Sequence, residues 1–401
     1  MADKTHIQWT DATWNPITGC SIVSKGCTNC YAMQLAGTRL KHHPTREGLT
    51  RQANGNHVWT GEVRFNEKQL TEPLRWTKPR RIFVCAHGDL FHENVPDAWI
   101  DRVFAVMALT PQHTYQVLTK RPERMRDYMR DPETFHRLFE AMMVHTDAGY
   151  PCVKGTRQAY GLPWARPKSA HDWWPLRNVW LGVSIEDQAT ADQRIPILMQ
   201  TPAALHWYSG EPLLGEINLR ELAWPSDWSR CECEDHKPTL NAFTASVYCA
   251  GCCEGAESLN LHPIAWGVVG GENGPRPLHP DWAMSLLVQH EGEEVPFFFK
   301  QWGTWKPISQ MSEAETESCY RPRVIAKPGQ DQSTLNDIYG RRCLVQTKAI
   351  SLQGRAVSVD APEAFHTSHG DGWMMTFALG KKAAGDLLNG VQHHNWPEMR
   401  T

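Results

Sequence analysis

The stretch from Asn178 to Glu211, NVWLGVSIEDQATADQRIPILMQTPAALHWYSGE, decides the fold. It opens on a nearly continuous apolar run, Asn178–Glu186 (NVWLGVSIE), of the length of a buried strand. A helical stretch follows over Thr190–Gln200, and a second apolar run, Ala204–Glu211 (ALHWYSGE), completes the unit. Strand, helix and strand in this order make a βαβ unit, which builds a parallel sheet through a right-handed crossover.

The same pattern extends in both directions. Upstream, Arg81–Asp89 (RIFVCAHGD) reads as a buried strand, and Pro96–Leu109 as its helix, with Pro at the start. Thr114–Lys120 (TYQVLTK) is the next strand, followed by helical Pro122–Met129. Downstream come Ile264–Glu272 (IAWGVVGGE), a helix over His279–Gln289, and Val295–Lys300 (VPFFFK). The series predicts an α/β fold, a partial or complete parallel (βα) barrel of about six units. The carboxyl ends of the strands form the active-site face of such a barrel. Here the predicted strands end in Asp89, Lys120, Ser184 with Glu186, Ser209 with Glu211, Glu272 with Asn273, and Lys300. Acidic and amide groups at four of these six strand ends point to one convergent site.

This core is expected over residues 1–305. Two stretches interrupt it: a Gly-, Pro- and Trp-rich insertion or lid at 145–176, and a Cys-rich metal-binding insertion at 225–260. A less periodic C-terminal extension, 306–401, holds weak strands (RCLVQTKAI, WMMTFAL) and a final helix near Lys381–Leu388.

Lys and Arg number 41 and Asp and Glu 44, a formal charge of −3, which excludes a globally basic nucleic-acid coat but not a local basic groove. No apolar run reaches the length of a membrane span, and the polar N-terminus is no signal peptide, so a cytoplasmic protein without membrane partners is expected. Trp (18) outnumbers Phe (12), so many flat rings must be buried or offered for stacking. In a reducing compartment, 12 cysteines call for a reason other than disulfides, and their clustering reads as metal binding.

The first cluster lies in Trp14–Ala32, WNPITGCSIVSKGCTNCYA, with Cys20, Cys27 and Cys30 spaced C-x6-C-x2-C on a loop before an expected helix, Tyr31–Leu40. Three thiolates on one loop suit a [4Fe–4S] cluster whose fourth iron stays open. A zinc site completed by His42 or His43, or no metal at all, are the competing readings. Cys85, within an apolar strand, reads as core. The second cluster pairs Cys231-x-Cys233 with Cys249-x2-Cys252-Cys253, with His236 nearby. Paired hooks at this distance read as a zinc ribbon or knuckle on Cys231, Cys233, Cys249 and Cys252, with an auxiliary iron–sulfur cluster or free thiols as alternatives. A short polar insertion cannot bury a core of its own, and a metal would order it.

These segments carry a family resemblance. The Cys loop, WNP-x-x-GC…S-x-GC-x-NCYA from Trp14, is joined by DLFH at Asp89, VLTKRPERM at Val117 and GVS-x-E at Gly182. S-x-EPLLG at Ser209, VVGGE-x-G-x-RP-x-HP at Val268, PFFFKQWG at Pro296 and GKKAAG at Gly380 complete the set. Together they resemble the radical S-adenosylmethionine (radical SAM) superfamily, closest to an uncharacterised phage-associated family within it, and more loosely spore photoproduct lyase. The resemblance spans nearly the whole chain except the two insertions. Two departures stand out. The superfamily usually spaces its triad C-x3-C-x2-C, so the first gap here is three residues longer. The aromatic residue usual before the third Cys is Asn29, with Tyr31 placed after it.

The resemblance implies a [4Fe–4S] cluster on Cys20, Cys27 and Cys30 that binds S-adenosylmethionine. A flavodoxin- or ferredoxin-type reductant would supply an electron, and a 5′-deoxyadenosyl radical would abstract hydrogen from the substrate. It implies that Asp89, Ser184, Glu186, Ser209 and Glu211 hold the cofactor. Glu272, Asn273 and Lys300 would act on the substrate side.

The expected substrate is DNA or a modified nucleotide. The reaction would isomerise or repair a modified pyrimidine in phage DNA, such as an amino-acid-decorated thymine, in the host cytoplasm. The Trp content, a basic strip (Lys78–Arg81 and Lys120–Arg121) and the metal insertion favour nucleic acid, with Trp164, Trp173 and Trp174 as a stacking lid. The alternatives are a non-catalytic, zinc-stabilised nucleic-acid-binding protein of phage–host conflict, and a zinc hydrolase.

Overall fold

The computed structural model describes residues 5–147, 174–224, 237–252, 261–335, 341–360, 367 and 369–398. Seven strands form its main sheet: β1 (Ala12–Trp14), β2 (Arg81–Val84), β3 (Thr114–Thr119), β4 (Val179–Ser184), β5 (Leu205–Gly210), β6 (Ile264–Gly270) and β7 (Phe297–Gln301). Each pairs in parallel with its neighbour in the chain, so the spatial order is β1 to β7 without a crossing. A singly wound parallel sheet with β1 and β7 at its two edges is a half-barrel. The expected α/β barrel class holds, in its partial form and with seven strands.

The helices between strands are α1 (Tyr31–Gly37), α2 (Asp97–Leu109), α3 (Pro122–Arg130), α4 (Thr134–Asp147), α5 (Gln188–Met199) and α6 (Pro280–Gly292). Local chemistry starts them. Pro stands at the first helical position of α3 and α6, where its fixed φ suits a helix and its missing N–H costs nothing. α5 opens on a reciprocal cap between Asp187 and Thr190. Their apolar faces and the outward side chains of the strands (Ile82, Val84, Tyr115, Val117, Leu181, Val183, Val269) make one core.

The concave face holds a second core of a different kind. Trp180, Trp207 and Trp266 from β4, β5 and β6 meet Trp9, Phe83 and Phe298 there. Trp207 packs 5.3 Å from both Trp9 and Trp266, centroid to centroid. Gly182 on β4 makes this possible, because a Cβ there would lie 2.6 Å from the Trp207 indole. Trp9, Trp180, Trp207 and Trp266 are therefore placed inside the half-barrel, not offered for stacking.

The C-terminal extension forms a four-stranded antiparallel sheet (Trp305–Pro307, Trp373–Ala378, Thr347–Ser351, Ala356–Ser358), and its end returns to the main sheet. Residues 393–395 run antiparallel along β7: Phe299 N donates to His393 O at 2.8 Å and Asn395 N to Phe297 O at 3.2 Å. The chain then reaches the other edge, where Trp396 Nε1 donates to Trp9 O and the Arg81 guanidinium lies 4.4 Å over the Trp396 ring. The tail is thus a strap across the gap between β7 and β1. The helix expected near Lys381–Leu388 is only Lys381–Ala384, followed by a hairpin of Leu387–Leu388 with Val391–Gln392.

Most of the 145–176 insertion, with Trp164 and Trp173, lies outside the described residues. Trp174 lies within them and is a packing residue: its Nε1 donates to Met129 O at 3.2 Å and its ring stands 5.8 Å from Phe104. In the described part of the Cys-rich insertion, Pro238–Asn241 and Ser246–Cys249 form a small antiparallel sheet with Leu222–Ala223, which precedes it. It does not stand alone, since Leu240, Phe243 and Val247 join the main core. Packing against the main core thus helps order the described part, while Cys231, Cys233 and Cys253 lie outside the described residues. No helix among the described residues is long and apolar enough to cross a membrane.

Candidate active site

The segment after β1 pairs Ile17–Thr18 with Arg64–Phe65 and then turns through Gly19. Gly19 has φ +95°, and a Cβ on it would fall 2.1 Å from Glu62 O, so only glycine fits the turn. From there the loop of Cys20, Cys27 and Cys30 crosses the carboxyl ends of the strands. It is tied down along its length. Arg121 Nη2 donates to Ser21 Oγ at 2.6 Å, and Ser24 Oγ donates to Glu186 Oε1 at 2.9 Å. Arg276 Nη1 donates to Lys25 O at 3.0 Å, and Asn29 Nδ2 to Glu272 Oε1 at 3.0 Å. Tyr31 OH, at the start of α1, donates to Ala86 O at 2.6 Å. The anchors come from just after β2, β3, β4 and β6, so the loop spans most of the mouth.

Around it stands a ring of paired charges. Glu186, 1 % exposed, receives Lys120 Nζ and Arg194 Nη1, the latter at 3.1 Å. Its own N–H is held by Thr190 Oγ1, so the cap of α5 also aims this carboxylate. Asp89 accepts from Phe91 N, Thr119 Oγ1, Lys120 N and Arg121 Nη1, at 2.7–3.2 Å. With its acceptor sites filled by protein, Asp89 orients Arg121. Arg121 in turn reaches Glu93 at 2.5 Å, and its Nη1 lies 3.7 Å from Cys20 Sγ. On the far side, Lys300 Nζ meets Glu211 at 2.7 Å, with Ser209 Oγ donating to the same carboxylate at 3.2 Å. Glu272 receives Arg276 at 3.0 and 2.5 Å.

This setting divides the three thiols. Burial, then the charge of Asp89, pushes Cys20 up to about 12. Burial likewise raises Cys30. Burial would also raise Cys27, but the Lys120 charge and hydrogen bonds from the backbone and hydroxyl of its own turn outweigh it and hold the thiol below its usual value. All three are free thiols. Among the described residues, no group of three or more His, Cys, Asp or Glu is arranged to hold a single metal ion. A cubane binds each thiolate through a different iron, so its three sulfurs face a body and need not converge on a point. The donor set suits such a group: soft sulfur ligands on one loop, with Lys120, Arg121 and Arg194 at hand to balance thiolate charge.

Of the residues expected from sequence, Asp89, Ser184, Glu186, Ser209, Glu211, Glu272 and Lys300 all lie at or just beyond the carboxyl ends of their strands. Ser184 contributes its carbonyl, which accepts from Arg194 at 2.6 Å. Asn273 is exposed and is not drawn into the network. Cys231 and Cys233 lie outside the described residues; Cys249 is buried at the end of its strand, and Cys252 is half-buried. Most of the basic strip is not a free surface, although Lys78 is exposed. Arg81 opens β2, at the end away from the mouth, and pairs with Asp11 at 3.2 Å, while Lys120 and Arg121 are taken up by Glu186, Asp89 and Glu93. Sequence reasoning missed Arg194, Arg276, Ser24 and Asn29 as site residues. The loop polar residues carried a usable signal, since a bulged Cys loop needs anchors.

No curated protein matches the chain, and no solved structure matches it. One family model covers it almost from end to end, over residues 4–397, and so the chain belongs to DUF5131, a family described as a protein of unknown function.

Proposed function

We propose that this protein is a radical SAM enzyme acting on a nucleobase. The observation that carries the reading is the position of the three-cysteine loop: it lies across the carboxyl-end mouth of a parallel half-barrel, the face on which such folds do chemistry. Cys20, Cys27 and Cys30 would hold a [4Fe–4S] cluster, which supplies the electron that converts S-adenosylmethionine to methionine and a 5′-deoxyadenosyl radical. The chain's own residues do the rest. Arg121, fixed by Asp89 and Glu93, and Lys120, fixed by Glu186, place two cations beside the thiolates. Glu211 at the end of β5 would orient the polar ends of the cofactor, and Glu186, buried under Lys120 and Arg194, would act through those cations. Lys300 and Glu272 lie on the substrate side. The aromatic floor of Trp180, Trp207 and Trp266 closes the concave face to water below the reacting centre.

The substrate is a modified pyrimidine in DNA, which the enzyme isomerises or repairs. The reductant is a small flavodoxin or ferredoxin. The Cys-rich insertion binds zinc or a second cluster in this account. The test is product analysis. Anaerobically reconstituted protein with reductant and S-adenosylmethionine should release 5′-deoxyadenosine, faster with a modified oligonucleotide present. Reconstituted protein that forms none would overturn the reading.

A further inference from the structure

We propose that the excursion between β1 and β2, residues 37–64, carries a phosphate-binding surface that holds the backbone of a nucleic-acid strand beside the mouth. The chain as a whole bears a formal charge of −3, yet this segment holds Arg39, Lys41, Arg46, Arg51 and Arg64 against Glu47 and Glu62. It runs from the end of α1 into a hairpin of Thr50–Ala53 with Asn56–Trp59. The two close on each other, since a Cβ on Gly37 would lie 2.1 Å from the His57 ring.

Between them opens a cavity of about 330 Å³, within the range of ligand sites. Lys41, His42, Arg51 and His57 line it together with Glu47. Lys41, His42 and Arg51 are exposed, and among the described residues neither Lys41 nor Arg51 is in an ion pair. Glu47, also in the lining, leaves the two cations in excess by one charge. The Lys41 and Arg51 charges, with His42 beside them around one hollow, match a phosphate oxyanion. α1 links this hollow to the cysteine loop. Its seven residues rise about 9 Å from Tyr31, which follows Cys30, to Gly37, so a strand held here passes close to the mouth.

The inference rests on the nucleic-acid part of the proposed function, and its test separates the two. Anisotropy of a fluorescein-labelled single-stranded oligonucleotide is measured over a salt series with full-length protein and with a Lys41→Ala, Arg51→Ala double variant. Wild type should bind with steep salt dependence. The variant should bind at least about tenfold more weakly, its log–log salt slope reduced by about 1.4, or 0.7 for each lost contact to a single strand. Equal affinity and slope in the two proteins, or no binding by wild type, would overturn the inference. Displacement of the oligonucleotide by inorganic phosphate at concentrations where a mononucleotide acts equally would reassign the hollow to a small phosphate ligand, and also overturn it. Iron and sulfide content is read on the same wild-type samples. Wild type that binds the oligonucleotide as tightly as the variant would count against this surface alone. Wild type that holds iron but binds no oligonucleotide would count against this surface and the DNA substrate but not the radical chemistry, and wild type that binds oligonucleotide but holds no iron would count against the radical reading alone.

Discussion

Gly26, in the turn between Cys20 and Cys27, lies directly against Glu186 at the end of β4: a Cβ on Gly26 would come within 2.5 Å of Glu186 Cγ and Oε1. The glycine lets the cysteine loop settle onto the strand ends, and Ser24 then donates to the same carboxylate. Gly26→Ala should therefore lift the loop while leaving the half-barrel folded. The expected result is a small fall in melting temperature together with faster alkylation of Cys27 and Cys30. Unchanged thiol reactivity would mean that the loop is not held by this contact. Glu186→Ala should be harsher, costing about 3–5 kcal/mol, because it strands Lys120 and Arg194 in a buried site.

The thiols should titrate apart. Cys27 is held below its usual value, whereas Cys20 is pushed up to about 12. The thiolate is the reactive form. In metal-free protein, iodoacetamide should modify Cys27 first, and raising the pH from 7 to 9 should accelerate Cys20 more than Cys27. Peptide mass spectrometry after timed quenching reads the order. Cys20 reacting first at pH 7 would contradict this electrostatic picture.

How much of this was legible in the sequence follows from what each signal measures. Long buried strands such as Val179–Ser184 and their capped helices were readable, because burial on both faces leaves a continuous apolar run. β1 was not: Ala12–Trp14 is three residues long, too short for any period to show. The strand-end acids were legible as positions but not as partners. Nothing local in Asp89 announces that Arg121 and Thr119 fill its acceptor sites, and nothing in Arg194, inside a helix, announces Glu186. The tryptophans were ambiguous for the same reason, since composition cannot distinguish a ring facing solvent from one seated over Gly182.

Acid should destabilise the fold through two buried imidazoles. His206 Nε2 donates to Thr201 O at 2.7 Å; His290 Nδ1 donates to Val295 O while its Nε2 accepts from Tyr208 OH at 2.8 Å. Burial lowers both from an ordinary 6.5 to about 4. Between those values the unfolded chain binds protons that the folded chain refuses, so stability is full above pH 6.5 and falls as pH drops toward 4. Each tenfold loss of proton affinity on folding is worth about 1.4 kcal/mol. Denaturant melts at pH 7.5 and 5.0 check this, and His206→Gln should flatten the difference. Equal stability at both pH values would contradict it.

The tail should matter to the barrel. Removing residues 386–401 uncovers the β7 edge and leaves the Trp266 indole without its acceptor, Asn395 O at 2.9 Å. Exposed strand edges recruit other chains. The truncated protein should melt lower and elute as aggregates. Trp396→Ala should be milder than the ~3–5 kcal/mol of a fully buried Trp, because its ring is half-buried. A monomeric truncation with unchanged melting would show that the strap does not stabilise the sheet.

The central claim is that Cys20, Cys27 and Cys30 hold one iron–sulfur cluster at the mouth. Iron and acid-labile sulfide per chain, measured after anaerobic reconstitution on wild type and on Cys27→Ala and Cys85→Ala, test it most directly. The account predicts about four irons and four sulfides at this site with absorbance near 400 nm. It also predicts their loss in Cys27→Ala and their retention in Cys85→Ala, whose thiol is buried in the core. Full iron and sulfide in Cys27→Ala, or none in wild type, would contradict it.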